Sequence, residues 1–332
     1  MYVSRIKVTG LGCFDGPRAA DLAVDPGPGW TVLAGPNGSG KTTLLHALAL
    51  ALGAPGTDSA GPPAGGAAGT VELPGLARWS STDGAERTGR TRTRTCHLGA
   101  DRTPPTALTP AAAALLEEGL LPDGWRIADP DRVLAAGPDG RTVPLAALGS
   151  GTAALAAITA ALAGDARTEP VDGATTVPRA AVALIDDIDL HLHPVRQQSI
   201  GGWLTTRFPN VQFLVATHSP YVCQAADPGT LVRLAAPGEA APPRVLDEDV
   251  HQRVLYGSGD DTALSELFGL PSAYSAAAEA ERRLLVRLER KLYTGRATSA
   301  ERDAYRRLGA KLNSSLGARA DELAARLLGD QP

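Results

Sequence analysis

Residues 30–52 read WTVLAGPNGSGKTTLLHALALAL. Trp30–Ala34 is a short apolar run and reads as a buried strand. The Ala- and Leu-rich stretch from Lys41 to about Leu52 reads as a helix. Between them Gly35-Pro36-Asn37-Gly38-Ser39-Gly40-Lys41-Thr42 fits G-x-x-x-x-G-K-[ST] in the strand–turn–helix setting that this pattern requires. The glycines let the backbone wrap so closely that several N–H groups can point at one phosphate. The helix that begins at Lys41 adds its positive dipole end. Asn37, Gly38, Ser39, Gly40, Lys41, Thr42 and Thr43 are therefore the expected nucleotide contacts. Lys41 would bridge the β- and γ-phosphates of ATP, and the Thr42 hydroxyl would ligate Mg²⁺.

Working outward, a second apolar strand, Ala180–Ile185, runs straight into Asp186-Asp187. A buried strand ending in a carboxylate suits Asp186 for Mg²⁺, commonly through water, and Asp187 for a base or water-orienting group. A helix over 194–207 and a strand over 211–216 come next. Strands are also expected at 2–9 and 19–24, with an edge at 142–145 and helices at 110–119 and 150–163. Strand, turn and helix in this order, with late apolar runs, imply an α/β fold with a mostly parallel central sheet. Residues 53–69 are rich in Gly, Pro and Ala and read as a flexible loop. From about 271 the pattern turns helical: Leu284, Leu285, Leu288 and Leu292 recur at helical spacing, Thr298 and Glu301 have capping-box spacing, and Leu316, Leu323 and Leu327 mark a third helix. The expected division is a head over 1–270 and a helical tail over 271–332.

Composition narrows the classes. Of 332 residues, 43% are hydrophobic and the net charge is −4, so a sizeable core is available and wholesale disorder is excluded. No apolar run is long enough for a transmembrane helix, and the N-terminus lacks the apolar core of a signal peptide. Cys13, Cys96 and Cys223 are scattered without CxxC spacing, which fits a reducing cytoplasm. With 28 arginines against four lysines, Lys41 in a glycine loop stands out. His191 and His193 are two apart, like zinc ligands on a strand, but no third ligand accompanies them.

DDIDLHLHP (186–194), with VATHSP (215–220) after it, resembles the ABC-type ATPase heads of the Rad50, SMC, RecF and OLD group. The resemblance implies a P-loop NTPase with an ABC-type head, and makes His218 the switch histidine that contacts the γ-phosphate. It also makes 191–193 part of a loop that crosses a dimer interface. Leu148-Gly149-Ser150-Gly151-Thr152 is similar to the family signature, usually Leu-Ser-x-Gly and then Glu or Gln. Ser150 and Gly151 would then contact ATP held by the other subunit, in a homodimer with two ATP molecules sandwiched between its heads. CHLGADRTPP (96–105) is similar to a segment of stand-alone defence ATPases. LYGSGDDTALSELFGLP (255–271) is similar to the segment C-terminal to the catalytic core in that group.

The departures carry meaning. Asp187 stands where the family usually has glutamate, which implies slow turnover suited to a timer or sensor. No glutamine lies between Leu52 and Gly151, so the Mg²⁺-contacting glutamine has no counterpart, and Asp101 and Arg102 are candidate replacements. There is no long heptad stretch and no appended nuclease cluster. The chain therefore resembles stand-alone heads of Septu-like antiviral modules, which work with a separately encoded effector, often a nuclease. Two alternatives are a RecF-like repair ATPase that holds DNA through Arg90, Arg92 and Arg94 on one strand face, and an inert nucleotide-binding scaffold.

Overall fold

Apolar residues spaced two apart decide how the chain layers. The structure, a computed structural model, describes residues 2–55, 57, 69–81, 86–89, 93–227 and 229–312. The chain opens with strands β1 (Arg5–Thr9), β2 (Ala20–Ala23) and β3 (Gly29–Ala34) and helix α1 (Lys41–Leu52). Strands β4 (Thr70–Leu73), β5 (Ala77–Ser80), β6 (Glu86–Thr88) and β7 (Arg94–Leu98) precede helix α2 (Pro110–Glu117). A meander of β8 (Arg126–Asp129), β9 (Leu134–Ala136) and β10 (Thr142–Pro144) leads to α3 (Ser150–Ala163). The hairpin β11 (Glu169–Val171) and β12 (Ala174–Thr176) comes before β13 (Ala181–Ile185), α4 (Pro194–Arg207), β14 (Val211–Thr217) and the short α5 (Pro220–Cys223). Strands β15 (Leu231–Arg233) and β16 (Arg244–Val245) precede α6 (Glu248–Tyr256), α7 (Gly259–Leu264), α8 (Ala276–Tyr293) and α9 (Ser299–Leu312).

The central sheet runs β16-β15-β3-β14-β13-β7 and is parallel except for the β15–β16 pair. A second sheet, β2-β1-β4-β5-β6, is antiparallel. On the central strands, Trp30 and Val32, Ala183 and Ile185, and Phe213 and Val215 face one core together with α2, α3 and α4. Leu33, Val182, Leu184 and Leu214 face the other core, which holds α1 and the antiparallel sheet. Strands buried on both faces need near-continuous apolar sequence, as β13 and β14 have. Helix α1 is buried on nearly every side, which explains an apolar sequence without a polar stripe.

The described residues fall into two compact units, divided between Gly269 and Leu270. In the second, α8 and α9 pack on one another, joined by Lys291–Glu301 and Lys311–Glu281 ion pairs. The expected loop at 53–69 and the expected helix around Leu316, Leu323 and Leu327 fall largely or wholly outside the described residues. No helix among the described residues is long and apolar enough to cross a membrane.

Candidate nucleotide site

The parallel register brings four strand ends together. Ala34 pairs with Thr217, Ile185 with Val215, and Ile185 with Leu98, so β3, β14, β13 and β7 finish side by side. The carboxyl ends of such strands are where open α/β sheets bind ligands. Strand β3 runs into the glycine loop, β13 into Asp186 and Asp187, β14 into His218, and β7 toward Arg102.

The glycine loop needs its glycines for two reasons. Gly40 has φ 100°, and a Cβ there would lie 2.4 Å from Cys13 Sγ and 2.9 Å from Phe14 Cζ. A Cβ on Gly35 would meet the Leu234 carbonyl at 2.6 Å. Gly40 is also the N-cap of α1 and supplies no side-chain cap, so the first N–H groups of the helix are left for a ligand. Lys41 is buried, and its Nζ donates to the Gly35 and Pro36 carbonyls at 2.9 and 3.1 Å. Burial pulls its pKa below the ordinary lysine value, against the opposing pull of Asp187, Asp186 and Asp189. An ammonium held by two carbonyls is a strong donor already in place for a phosphate oxygen.

A cleft of about 520 Å³ joins Asn37, Gly38, Gly40, Lys41, Thr42 and Thr43 to Asp187 and His218. Ser39 is fully buried and does not line this cleft; its N–H donates to the Pro36 carbonyl. Asp186 is buried, and its Oδ1 finds no hydrogen-bond partner among the described residues. A buried carboxylate oxygen left bare fits a site completed by a cation, and a cation is what Asp186 was expected to hold. Asp187 has φ 41°, and its Oδ1 lies 4.0 Å from His218 Nε2, beyond hydrogen-bond length. Burial and the neighbouring Asp186 raise the Asp187 pKa; burial and Lys41 lower that of His218. Both shifts favour the neutral forms, as expected where charges crowd in a half-buried cleft.

Ser150 and Gly151 do not line this cleft. Ser150 is exposed at the first position of α3, whose N-cap Gly149 gives no side-chain cap. Gly151 lines a separate groove of about 300 Å³ with Thr152, His191, His193 and Arg196. A Cβ on Gly151 would lie 2.8 Å from the His191 carbonyl, so the glycine permits a close crossing of loop and helix. His191 and His193 are exposed, and His193 caps α4 through its Nδ1. No group of three or more potential metal ligands occurs among the described residues.

Two sequence expectations change. Arg102 is buried, and its guanidinium donates to the carbonyls of Leu98, Gly99, Asp186 and Asp187. A guanidinium has no acceptor lone pair, so Arg102 replaces no Mg²⁺-contacting glutamine; it ties the ends of β7 and β13 together. Arg94 donates to the Ala161 and Leu162 carbonyls at the end of α3, which removes it from a free basic face. Arg90 and Arg92 lie outside the described residues. Sequence reading missed Arg18, whose guanidinium joins the Ser39 carbonyl to those of Ala235, Ala236 and Glu239. It also missed Asp189 and Gln197 beside His218. Their partners are distant in sequence, and no local pattern marks them.

Two stretches match known families: residues 5–76 match an "AAA domain", and 110–224 match "AAA domain, putative AbiEii toxin, Type IV TA system". A segment of 58 residues is 50% identical to "Retron Ec83 probable ATPase" of Escherichia coli, covering 18% of this chain and 10% of that protein. Another of 41 residues is 58% identical to "Retron Vc95 probable ATPase" of Vibrio cholerae, covering 12% and 8%. The chain thus spans about a tenth or less of the length of these curated relatives. Among solved structures, the SMC head domain from Thermotoga maritima aligns at TM-score 0.47 and 19% identity, over 74% of this chain and 100% of that one. With its glycine loop, mostly parallel central sheet and converging strand ends, the chain has an α/β P-loop fold and is similar over these stretches to AAA domains and to retron probable ATPases.

Proposed function

We propose that the chain is a slow ATPase switch: two copies close around two ATP molecules, and this state regulates a separately encoded effector, a nuclease by analogy, in antiphage defence. The observation that carries the reading is the single cleft that joins Lys41 and Thr42 to Asp187 and His218. Within it Lys41 and the N–H groups of the loop bind the β- and γ-phosphates. Thr42 and Asp186 would hold Mg²⁺, which offsets charge on the phosphates. Asp187 accepts the proton of the attacking water, and His218 faces the terminal phosphate. Ser150 and Gly151, outside the cleft and at a helix start without a side-chain cap, are available to a second copy's γ-phosphate. The retron similarities favour a defence setting over repair. The DNA-clamp reading loses Arg94 to the end of α3.

The test is ATP binding and phosphate release by purified protein. Wild type should bind ATP, hydrolyse it slowly and dimerise in its presence, and Lys41→Ala should lose all three. A chain that binds neither ATP nor a slowly hydrolysed analogue overturns the proposal.

A further inference from the structure

The switch histidine is held by groups outside the cleft. Asp189 lies two residues past Asp187 on the loop that leaves β13. Its Oδ1 accepts the His218 N–H at 3.1 Å and the Thr217 hydroxyl. From the first turn of α4, Gln197 accepts from the Ser219 hydroxyl at 2.6 Å. The same Gln197 donates through Nε2 to the Leu192 carbonyl at 2.8 Å and the Asp189 carbonyl at 3.4 Å. Ser219 in turn caps α5, accepting from the Tyr221 and Val222 N–H groups. Thus 217–219 is fastened twice to 189–192, by a carboxylate before His218 and an amide after it. The His218 side chain takes no hydrogen bond in this fastening, so its ring is left facing the cleft.

We propose that Asp189 and Gln197 are positioning residues that fix the switch histidine against Asp187 and tie it to the loop crossing the signature helix. The inference rests on the ATPase reading above and goes beyond it. Distances and partners argue for two jobs. A charged acceptor on the His218 N–H sets the backbone from which the ring projects, and such bonds are stronger than neutral ones. The 189–192 loop also carries His191, whose carbonyl abuts Gly151, so a shift of the signature helix moves the same loop that holds the histidine. Closure of a second copy on Ser150 therefore reaches His218 through packed backbone and two side chains.

The experiment measures kcat and ATP affinity for Asp189→Ala, Asp189→Asn and Gln197→Glu, each also combined with His218→Ala. Asp189→Ala should lower kcat roughly tenfold to hundredfold while leaving the Kd of a slowly hydrolysed ATP analogue within about threefold, the signature of a misplaced group and not a lost binding site. Asp189→Asn keeps an acceptor oxygen and should recover most of that loss. Gln197→Glu puts a carboxylate against two carbonyls and should fall like Asp189→Ala. On a His218→Ala background none of the three should cost more, since coupled residues are non-additive. Amide exchange at His218 supplies a readout independent of turnover: Asp189→Ala should speed it selectively. Equal losses with and without His218, or unchanged kcat and exchange in Asp189→Ala, overturn this inference alone. Absence of phosphate release by the wild type overturns the ATPase reading and this inference with it.

Discussion

Asp187 combines a short side chain with a left-handed backbone, φ 41°, and is the residue to which the proposed ATPase reading gives the activation of water. A glutamate there would extend the carboxylate by about 1.5 Å, one carbon–carbon bond. General-base contributions are worth roughly 10²–10⁴-fold, so partial recovery of reach should be visible. Asp187→Glu is expected to raise phosphate release by about tenfold, and Asp187→Asn to reduce it at least as strongly, with ATP binding retained in both. Unchanged or lower turnover in Asp187→Glu would show that reach does not limit the rate. Gly40 gives a second prediction at this scale. A methyl there meets Cys13 Sγ at 2.4 Å and imposes φ 100° on a residue with a Cβ. Gly40→Ala should cost roughly 1–3 kcal/mol of stability as well as ATP binding, read as a lower Tm and a lost ATP-induced Tm increase.

Helices and strands set where those residues stand, and their ends hold the next predictions. Arg94 closes the C-terminus of α3 through two carbonyls, where a cation also complements the helix dipole. Arg94→Ala should therefore lower stability by about 1–2 kcal/mol, measured by denaturant unfolding, with little change in any DNA affinity. In the second unit, Glu301 opens α9: it accepts the Thr298 N–H and pairs with Lys291. Lys291, with help from the Thr298 amide, brings its pKa down to about 2. Its stabilisation is complete above the ordinary carboxyl range near 4.3 and is lost as pH falls through that range toward 2. Exchange protection of 299–312 should fall over this interval in wild type, whereas Glu301→Gln should start lower and vary less with pH. Elements with strong periodicity are legible in the sequence alone. Helices α1, α3 and α4 and strands β3, β13 and β14 lie within about a residue of where periodicity and motif place them. The meander β8–β10 is readable only at one edge, because its strands are short and half-exposed and carry little alternation. The cleft is legible through Lys41, Thr42, Asp187 and His218, each at the end of a patterned element. Its supports are not. Arg102 meets Asp186 across 84 residues, Arg18 meets Ala236 across 218, and Asp189 meets Thr217 across 28. Such partners are brought together only by the tertiary fold, which no local pattern in the sequence encodes.

At the scale of the whole molecule, the proposed sharing of ATP between two copies turns on the position of Ser150. The cleft holds Lys41, Asp187 and His218 but not Ser150, which sits exposed at an uncapped helix start. If the terminal phosphate is shared between copies, each ATP depends on Lys41 of one chain and Ser150 of the other. Two variants test this by complementation. Lys41→Ala removes the phosphate grip, and Ser150→Arg, at an exposed position, fills the space a partner's phosphate would need. Each alone should neither hydrolyse ATP nor dimerise with it. Mixed in equal amounts, only mixed dimers form, and each has one intact site and one doubly broken site, so up to about one half of wild-type turnover should return if the sites act independently. Light scattering on the same mixture should show an ATP-dependent dimer that neither variant forms. If the mixture stays inactive and monomeric while wild type hydrolyses ATP, each chain completes its own site and the shared-phosphate architecture is wrong.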